Sequence, residues 1–208
     1  MATHITHIVL TDKIYEEQFW NCDRKNIILW TLLPDIRYLD NSIPKESTHS
    51  YNISLEAIQS LTTCFEKGML FHSLLDRVRD EFYISRWIYT FWWDEDFIMA
   101  LKLLEDEYLY NKIKNRDMYL EYFDNIPYQN TPNIKKDTLD TWYAMIKECV
   151  AHQPNNITRE NFQWKLWVPI EYTNKINNLI NKLQKDKKIL QLIDELYESF
   201  WSLIKQQF

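Results

Sequence analysis

The sequence predicts an all-α protein, a single-domain multi-helix bundle that spans residues 1–208. Only one of the 208 residues is glycine, which leaves few positions for the tight turns that β-hairpins require. Hydrophobic residues make up 46% of the chain, enough to fill the core of one domain of this length. Residues 64–84 also carry apolar side chains at the spacing of an amphipathic helix.

The N-terminal part is predicted to contain two helices followed by a loop. Residues 3–19 form the first helix, and the apolar residues 24–33 form the second. The second helix ends at Pro34, because a proline disfavours helical backbone in the residue before it. Residues 40–52 are rich in turn-forming residues and are predicted to be a loop, after which helical spacing resumes at Ser54.

The middle of the chain contains the clearest helix, residues 64–84. A glycine inside a helix costs about 0.5–1 kcal/mol relative to alanine, so Gly68 predicts a close approach by another backbone or a ligand. The aromatic residues of 87–94 are predicted to pack in the core rather than to bind a quaternary ammonium group. Residues 95–113 begin with acids and end with a lysine, as a helix dipole prefers.

The C-terminal half is predicted to be helical with two interruptions. Residues 124–137 form a loop and residues 138–151 a helix. The stretch 164–171 is ambiguous because Pro169 interrupts it, and residues 173–206 form one or two further helices.

The charge and hydropathy of the chain exclude several classes of partner. There are 24 lysines and arginines against 30 aspartates and glutamates, so the net charge of −6 does not favour binding to nucleic acids. No apolar stretch is long enough to predict a transmembrane segment. The start of the chain lacks the pattern of a signal peptide, which predicts a cytoplasmic protein and leaves delivery by a dedicated secretion system open. The sequence does not indicate an oligomeric state.

The chain has three cysteines, Cys22, Cys64 and Cys149. They are odd in number, far apart and not in a C-x-x-C arrangement. We therefore expect them to be reduced thiols.

The strongest local signal for chemistry is the pair His72 and Asp76. Residues four apart on a helix lie one above the other, so this imidazole and this carboxylate can bind the same cation. Alone, such a pair is more often an exposed ion pair.

Further candidate metal ligands lie in the first 50 residues. His4 and His7 are three apart and share one face of the first predicted helix. Asp35 follows the apolar second helix, which places a carboxylate near the interior, and His49 ends the predicted loop. Several imidazoles and carboxylates from different helices are the ligands that a helix bundle offers to a zinc-like ion.

The order of these motifs resembles the zinc-dependent phospholipase C family, whose fold is all-helical and related to that of single-strand-specific fungal nucleases. The matching motifs are T-H near the start, L-L-P-D, a second T-H and H-x-x-x-D, within roughly residues 3–80. The resemblance implies that Asp35, His49, His72 and Asp76 hold one zinc ion. It also implies that His4 or His7, with Asp76 as a bridge, holds a second, and we slightly favour His7.

Two departures from the family limit this ligand set. The secreted phospholipases use a processed N-terminal residue as a ligand, whereas this chain offers an extra histidine instead. The family's further histidine cluster is missing, because His152 is followed four residues later by Asn156 rather than by an acid. We therefore expect one or two Zn²⁺ ions, or another divalent transition metal in their place.

Such ions lower the pKa of a bound water and neutralise charge on a phosphoester, so the predicted function is phosphoester hydrolysis of a small-molecule or lipid substrate. Asp35 is the candidate catalytic residue, as a ligand and proton acceptor, and Arg37, Lys45 or Arg79 is expected to bind the phosphate. An HD-type phosphohydrolase is disfavoured because the chain has no adjacent His-Asp pair. The alternative is a non-catalytic helical protein with a structural metal or an interaction role.

Overall fold

The computed structural model describes residues 4–88, 94–128 and 134–206, and within these ranges the chain forms eleven α-helices and no β-strand. The helices are α1 (His4–Gln18), α2 (Arg24–Leu32), α3 (Lys45–Thr48), α4 (Leu55–Gln59), α5 (Cys64–Ser85), α6 (Glu95–Leu109), α7 (Arg116–Asp124), α8 (Lys136–Ala151), α9 (Asn156–Lys165), α10 (Ile170–Leu183) and α11 (Lys187–Lys205). The 3₁₀ helix Leu33–Tyr38 follows α2, and the 3₁₀ helix Tyr110–Lys112 follows α6. The predicted all-α, single-domain fold is confirmed.

The long helices lie where the sequence predicts them. The predictions over 3–19, 24–33, 64–84 and 138–151 correspond to α1, α2, α5 and α8, and the C-terminal tail forms two helices, α10 and α11. The start of α5 is set by Thr63, whose side chain accepts a hydrogen bond from the free backbone N–H of the first turn. None of the helices in the described part of the chain is both long and apolar enough to cross a membrane.

Three short helices, α3, α7 and α9, were not predicted. The helix α3 has four residues and lies inside the predicted loop 40–52. The helices α7 and α9 are capped by the preceding residues Asn115 and Asn155, whose side chains accept hydrogen bonds from N–H groups of the first turn. The helix predicted over 95–113 ends at Leu109, where the second 3₁₀ helix follows. The stretch 164–171 is ambiguous in the sequence because it contains the end of α9, Pro169 and the start of α10.

The chain does not leave helical geometry at Pro34. The α-helix α2 ends at Leu32, as predicted, and Pro34 then lies in the first turn of the 3₁₀ helix, where its missing N–H costs no hydrogen bond. This 3₁₀ helix carries Asp35 and holds it in the interior at 5% exposure. The predicted buried carboxylate therefore lies on a short, well-defined element.

The core consists of two clusters of apolar side chains, and α1 belongs to both. Leu10 and Ile14 pack in a cluster with side chains of α5, α6, α10 and α11. Ile5 and Ile8 pack in the other, with side chains of α2, α7 and α8. Because α1 lies between the two clusters, its polar residues in the same turns, including His4 and His7, are also buried.

Gly68 lies where α5 crosses α2, and the predicted close approach of another backbone is confirmed. A Cβ atom at this position would lie 2.5 Å from Trp30 Cβ and 3.1 Å from the backbone N of Thr31. Only a residue without a side chain allows the two helices to pack this closely.

Asp106 on α6 fixes the start of α1. Its Oδ1 accepts hydrogen bonds from the backbone N–H and the hydroxyl of Thr6, each 2.8 Å long. The Asp106 side chain thus caps the N-terminus of α1, although it belongs to α6. Burial raises the pKa of the Asp106 carboxyl to about 7, although the bonds from Thr6 act in the opposite direction.

The prediction of three reduced thiols is wrong for two of the cysteines. Cys22 and Cys64 form a disulfide, with their Cα atoms 5.6 Å apart, which joins the segment after α1 to the first residue of α5. The two residues are separated by 42 positions, so only the tertiary fold brings them together. Cys149 is a free thiol whose pKa is raised by burial.

The aromatic segment 87–94 does not behave as predicted at its start. Trp87 has a positive φ and is 77% exposed, so its side chain does not fill the core. Ile88 packs against the core, and residues 89–93 lie outside the described residues.

Replacement of Gly68 by alanine is expected to destabilise the protein. The added methyl group would force α2 and α5 apart, at a cost of about 1–3 kcal/mol that exceeds the gain in helix propensity of about 1 kcal/mol. The free energy of unfolding from urea titration measures the effect, with the exposed helical change Asn178→Ala as the control. A G68A protein as stable as the native one would contradict the close contact.

The stability of the protein is expected to fall as pH rises through about 7 because of Asp106. The unfolded carboxyl loses its proton near pH 4 and the folded one only near pH 7, so between these values the unfolding free energy decreases by at most about 1.4 kcal/mol per pH unit. The variant Asp106→Asn keeps the acceptor for Thr6 but does not titrate, so its stability should change less between pH 5 and pH 8. Asp117→Asn on α7 is the control. Equal pH profiles for D106N and the native protein would contradict the raised pKa.

Candidate metal centre

Five of the six predicted ligands come together at one place between α1, α5 and the segment that joins α2 to α4. The five are His7 on α1, Asp35 on the 3₁₀ helix, His49 after α3, and His72 and Asp76 on α5. They span 70 positions of the sequence, so the fold assembles the cluster from distant segments.

His72 lies at the middle of the cluster. Its Nε2 is 3.2 Å from Nε2 of His49 and 3.9 Å from Oδ1 of Asp35. On the other side, the same Nε2 is 3.6 Å from Oδ2 of Asp76, one turn along α5. The predicted pairing of His72 and Asp76 on one helix face is therefore present, and both point into the cluster.

His7 completes the cluster from α1. Its ring stacks on that of His72, with the centroids 4.3 Å apart, and its Nε2 lies 3.6 Å from Oδ1 of Asp76. Asp76 thus directs one carboxylate oxygen towards each of the two histidines.

Two groups of side chains in the cluster have the spacing of metal ligands. In the first, Asp35, His49 and His72 place one ligand atom each within 4.8 Å of the others, and in the second, His7, His72 and Asp76 do so. Ligand atoms about 2.0–2.1 Å from a tetrahedral zinc ion lie about 3.3 Å from one another, close to the distances found here. The residue common to both groups is His72, whereas the sequence predicted Asp76 as the bridge.

Hydrogen bonds on the far side of the rings orient the two central histidines. Nδ1 of His72 lies 2.8 Å from the carbonyl oxygen of Thr31, which only accepts, so Nδ1 carries the proton. Nδ1 of His49 lies 2.8 Å from the hydroxyl of Thr48, which donates to the carbonyl of Lys45 and therefore accepts from the ring. In the neutral form, each ring then has its lone pair on Nε2, the form that binds metals.

The electrostatic surroundings keep the acids ionised and His49 neutral. Burial alone would raise the pKa of Asp35, but the neighbouring charges, with that of His72 first among them, together lower this pKa. Burial would likewise raise the pKa of Asp76, but Lys102 and the neighbouring histidines hold that pKa well below its ordinary value. Burial lowers the pKa of His49.

His4 lies outside both groups. Its ring packs against Trp142 and Phe162, each with a centroid distance of 5.1 Å, and burial lowers its pKa to about 3. Among the described residues its Nε2 has no hydrogen-bond partner. The geometry therefore favours His7 over His4 as the ligand from α1.

The cluster opens into a polar cavity of about 140 Å³. The lining side chains are Asp35, Arg37, Tyr38, Lys45, His49, Asp76, Asp80 and Lys102. The side chain of Asp76 is 25% exposed to solvent, whereas that of His49 is 9% exposed and that of His72 only 1%. A ligand therefore reaches the cluster past Asp76.

The cavity contains two of the three cations predicted to bind phosphate. Arg37 and Lys45 line it, but Arg79 does not. The guanidinium of Arg79 is completely buried and donates two hydrogen bonds to the carboxylate of Glu105.

Sequence reasoning missed three lining residues, Tyr38, Asp80 and Lys102. Asp80 follows Asp76 by one helical turn, so the same four-residue spacing indicates it. Nothing in the sequence around Lys102 marks it, because its position depends on how α6 packs against the rest of the bundle.

Comparison with known proteins found no matching family model, no matching curated protein and no matching solved structure. The resemblance to the zinc-dependent phospholipase C family, carried by motifs within residues 3–80, stays a prediction. What the geometry supplies is a set of histidine and aspartate side chains able to hold a metal ion.

The double variant His72→Ala, Asp76→Ala is expected to lose its bound metal, because it removes the residue common to both groups and the acid beside it. The measurement is the zinc content of protein purified, stripped with chelator and reloaded. His152→Ala, on an exposed histidine outside the cluster, is the matched control and should keep the native stoichiometry. An unchanged zinc content in the double variant would rule out this site.

Proposed function

We propose that the protein is a metal-dependent phosphoester hydrolase of the zinc-dependent phospholipase C type, with a zinc-like ion held by Asp35, His49 and His72. The observation that carries the proposal is the pair of Nε2 atoms of His49 and His72, which face each other at 3.2 Å. Their other ring nitrogens donate hydrogen bonds, so when both rings are neutral their two lone pairs face each other, an arrangement that a metal ion between them stabilises. Burial disfavours a proton on His49, and the Asp35 carboxylate beside both rings supplies a third ligand.

The arrangement of His72 supports one ion rather than two. With its Nδ1 donating to the Thr31 carbonyl, a neutral His72 has a single lone pair and binds a single metal ion. If His72 binds the ion together with Asp35 and His49, only His7 and Asp76 of the second group remain. These two residues then remain beside the ion rather than forming a second complete site.

Asp35, His49 and His72 would supply three ligands, the number that catalytic zinc sites take from the protein. An ion held by them would make water more acidic and polarise a phosphoryl oxygen. The sequence predicts Asp35 as both metal ligand and proton acceptor, but because it is only 5% exposed we assign it to metal binding alone. Asp76 faces the cavity and is the carboxylate that accepts a proton from water, while His7, with its Nε2 3.6 Å from Asp76 Oδ1, holds it in place.

The reaction adds the elements of water across a phosphoester bond. The oxygen of water forms a bond to phosphorus, and the bond between phosphorus and the ester oxygen breaks. One proton from the water passes to the departing alcohol, so that no oxidant or reductant is required.

One observation favours the non-catalytic alternative. Asp76 Oδ2 lies 3.6 Å from His72 Nε2, within reach of the same ion, and a fourth protein ligand would close the coordination sphere. A closed site of this kind would be structural. Zinc bound to a protein without hydrolytic activity, and a large loss of stability when the zinc is removed, would favour this alternative.

The deciding experiment is an assay of zinc-loaded protein against phosphomonoesters and phosphodiesters, with and without chelator. We expect hydrolysis of at least one ester class that stops when the metal is removed and returns when zinc is added. A protein that binds zinc but hydrolyses none of the esters would contradict the proposed activity.

The hydroxyl of Thr48 is expected to contribute to metal affinity through His49. The variant Thr48→Val keeps the shape of the side chain but removes the acceptor for Nδ1–H of His49. Loss of such a supporting hydrogen bond typically weakens metal binding about 10–100-fold. Competition with a chelating dye measures the affinity.

The control for this variant is Thr141→Val. The Thr141 hydroxyl also donates to a backbone carbonyl of its own helix, that of Asp137, but lies far from any histidine of the cluster. If T48V and T141V bind zinc equally well, the orientation of His49 does not depend on Thr48.

A further inference from the structure

Three cations line the cavity above the metal cluster, and they come from three different elements. Arg37 lies on the 3₁₀ helix, Lys45 at the start of α3 and Lys102 on α6. Within the described ranges, none of the three has a carboxylate oxygen within 4.0 Å of its charged nitrogens. Asp35 and Asp76 are directed towards the histidines instead, so the cations are available to an anionic ligand.

Arg37 is held in a fixed position at this cavity. Its guanidinium lies over the ring of Tyr38, 4.0 Å from the centroid, and donates a hydrogen bond of 2.6 Å to the Tyr38 hydroxyl. The Nε atom of Arg37 is buried and has no acceptor among the described residues. Burial raises the pKa of Tyr38 to about 12, so its hydroxyl keeps a proton and can donate as well.

Lys102 approaches the cluster from the side of α6. It lines the same cavity as Asp76, and among the described residues it is the one lining residue that α6 supplies. The cavity is therefore lined by side chains from the 3₁₀ helix, α3, α5 and α6, together with His49.

The charges of the cavity balance before any metal is bound. The lining side chains include three acids, Asp35, Asp76 and Asp80, and the three cations Arg37, Lys45 and Lys102. The net charge of the loaded site is therefore that of the metal ion. One divalent ion leaves two positive charges, which a doubly charged phosphate group neutralises and a singly charged phosphodiester does not.

The size of the cavity agrees with a compact ligand. Its volume of about 140 Å³ is below the ~300–1,000 Å³ of typical small-molecule pockets. It has room for a phosphate group, while the rest of an ester would extend through the opening past Asp76.

Resting on the proposed function, we propose that the substrate is a phosphomonoester, whose terminal dianionic phosphate binds between the metal centre and the cations Arg37, Lys45 and Lys102. Lys102 is the specificity-determining residue, because it lines the cavity beside Asp76 and, in the described part of the chain, is the only cation that α6 contributes to the lining. Charge-assisted hydrogen bonds to phosphate are the strong class of such contacts, so the loss of one is expected to weaken binding about 10–100-fold.

The test uses zinc-loaded full-length protein with p-nitrophenyl phosphate and bis(p-nitrophenyl) phosphate as substrates. We expect a higher kcat/KM for the monoester than for the diester. Calorimetry should show orthophosphate binding more tightly than dimethyl phosphate. The variant Lys102→Met should raise KM for the monoester and the Kd of orthophosphate about 10–100-fold, with little effect on the diester and with zinc content retained.

Two further variants separate a binding role of Lys102 from a structural one. Lys102→Arg keeps the charge and should retain most of the affinity for orthophosphate. Lys182→Met removes an exposed lysine of α10 that is not a lining residue and should behave as the native protein.

The possible failures are distinguishable. Protein that binds zinc and hydrolyses the diester in preference to the monoester would overturn this inference and leave the proposed hydrolase in place. Equal binding of orthophosphate by K102M and native protein would also overturn the assignment of Lys102. Failure to bind zinc, or zinc binding without activity on either ester, would overturn the proposed function and the substrate class with it.

Discussion

The close contact between α2 and α5 at Gly68 is the packing feature on which the metal cluster depends. Because Gly68 has no side chain, the backbone of α2 near Trp30 and Thr31 lies directly against α5. The Thr31 carbonyl then meets Nδ1 of His72, one turn further along α5, at 2.8 Å. That bond fixes the proton on Nδ1 and directs the lone pair of Nε2 towards the other ligands, so a packing detail sets the chemistry of the ring.

The cluster also depends on the burial of α1 between the two core clusters. A helix with apolar neighbours on several sides has little freedom to rotate, and Asp106 holds its first turn through the backbone N–H and hydroxyl of Thr6. His7 therefore keeps its stacked position over His72. Buried imidazoles and carboxylates are costly unless they are paired, and here each acid lies beside a histidine.

The sequence predicts those features of the site that depend on local spacing. His72 and Asp76 follow from the four-residue period of one helix, and Gly68 signals a close contact because glycine is unfavourable inside a helix. Features that depend on how distant elements pack could not be predicted in this way. Lys102 reaches the cavity through the orientation of α6, and the Cys22–Cys64 disulfide depends on the segment after α1 meeting the start of α5.

The arrangement of charge within the cavity bears on the number of metal ions and on the ligand together. The acids Asp35 and Asp76 lie beside histidines, whereas Arg37, Lys45 and Lys102 are cations without a carboxylate partner in the described part of the chain. A first divalent ion is attracted to the two acids and their histidines. A second would approach the three cations and the first ion, with no complete ligand group left once His72 is bound. An anion, in contrast, is attracted both by these cations and by the bound ion. Because the acids lie beside histidines and the cations have no carboxylate partner among the described residues, the cavity favours one metal ion with an anionic ligand over a pair of ions.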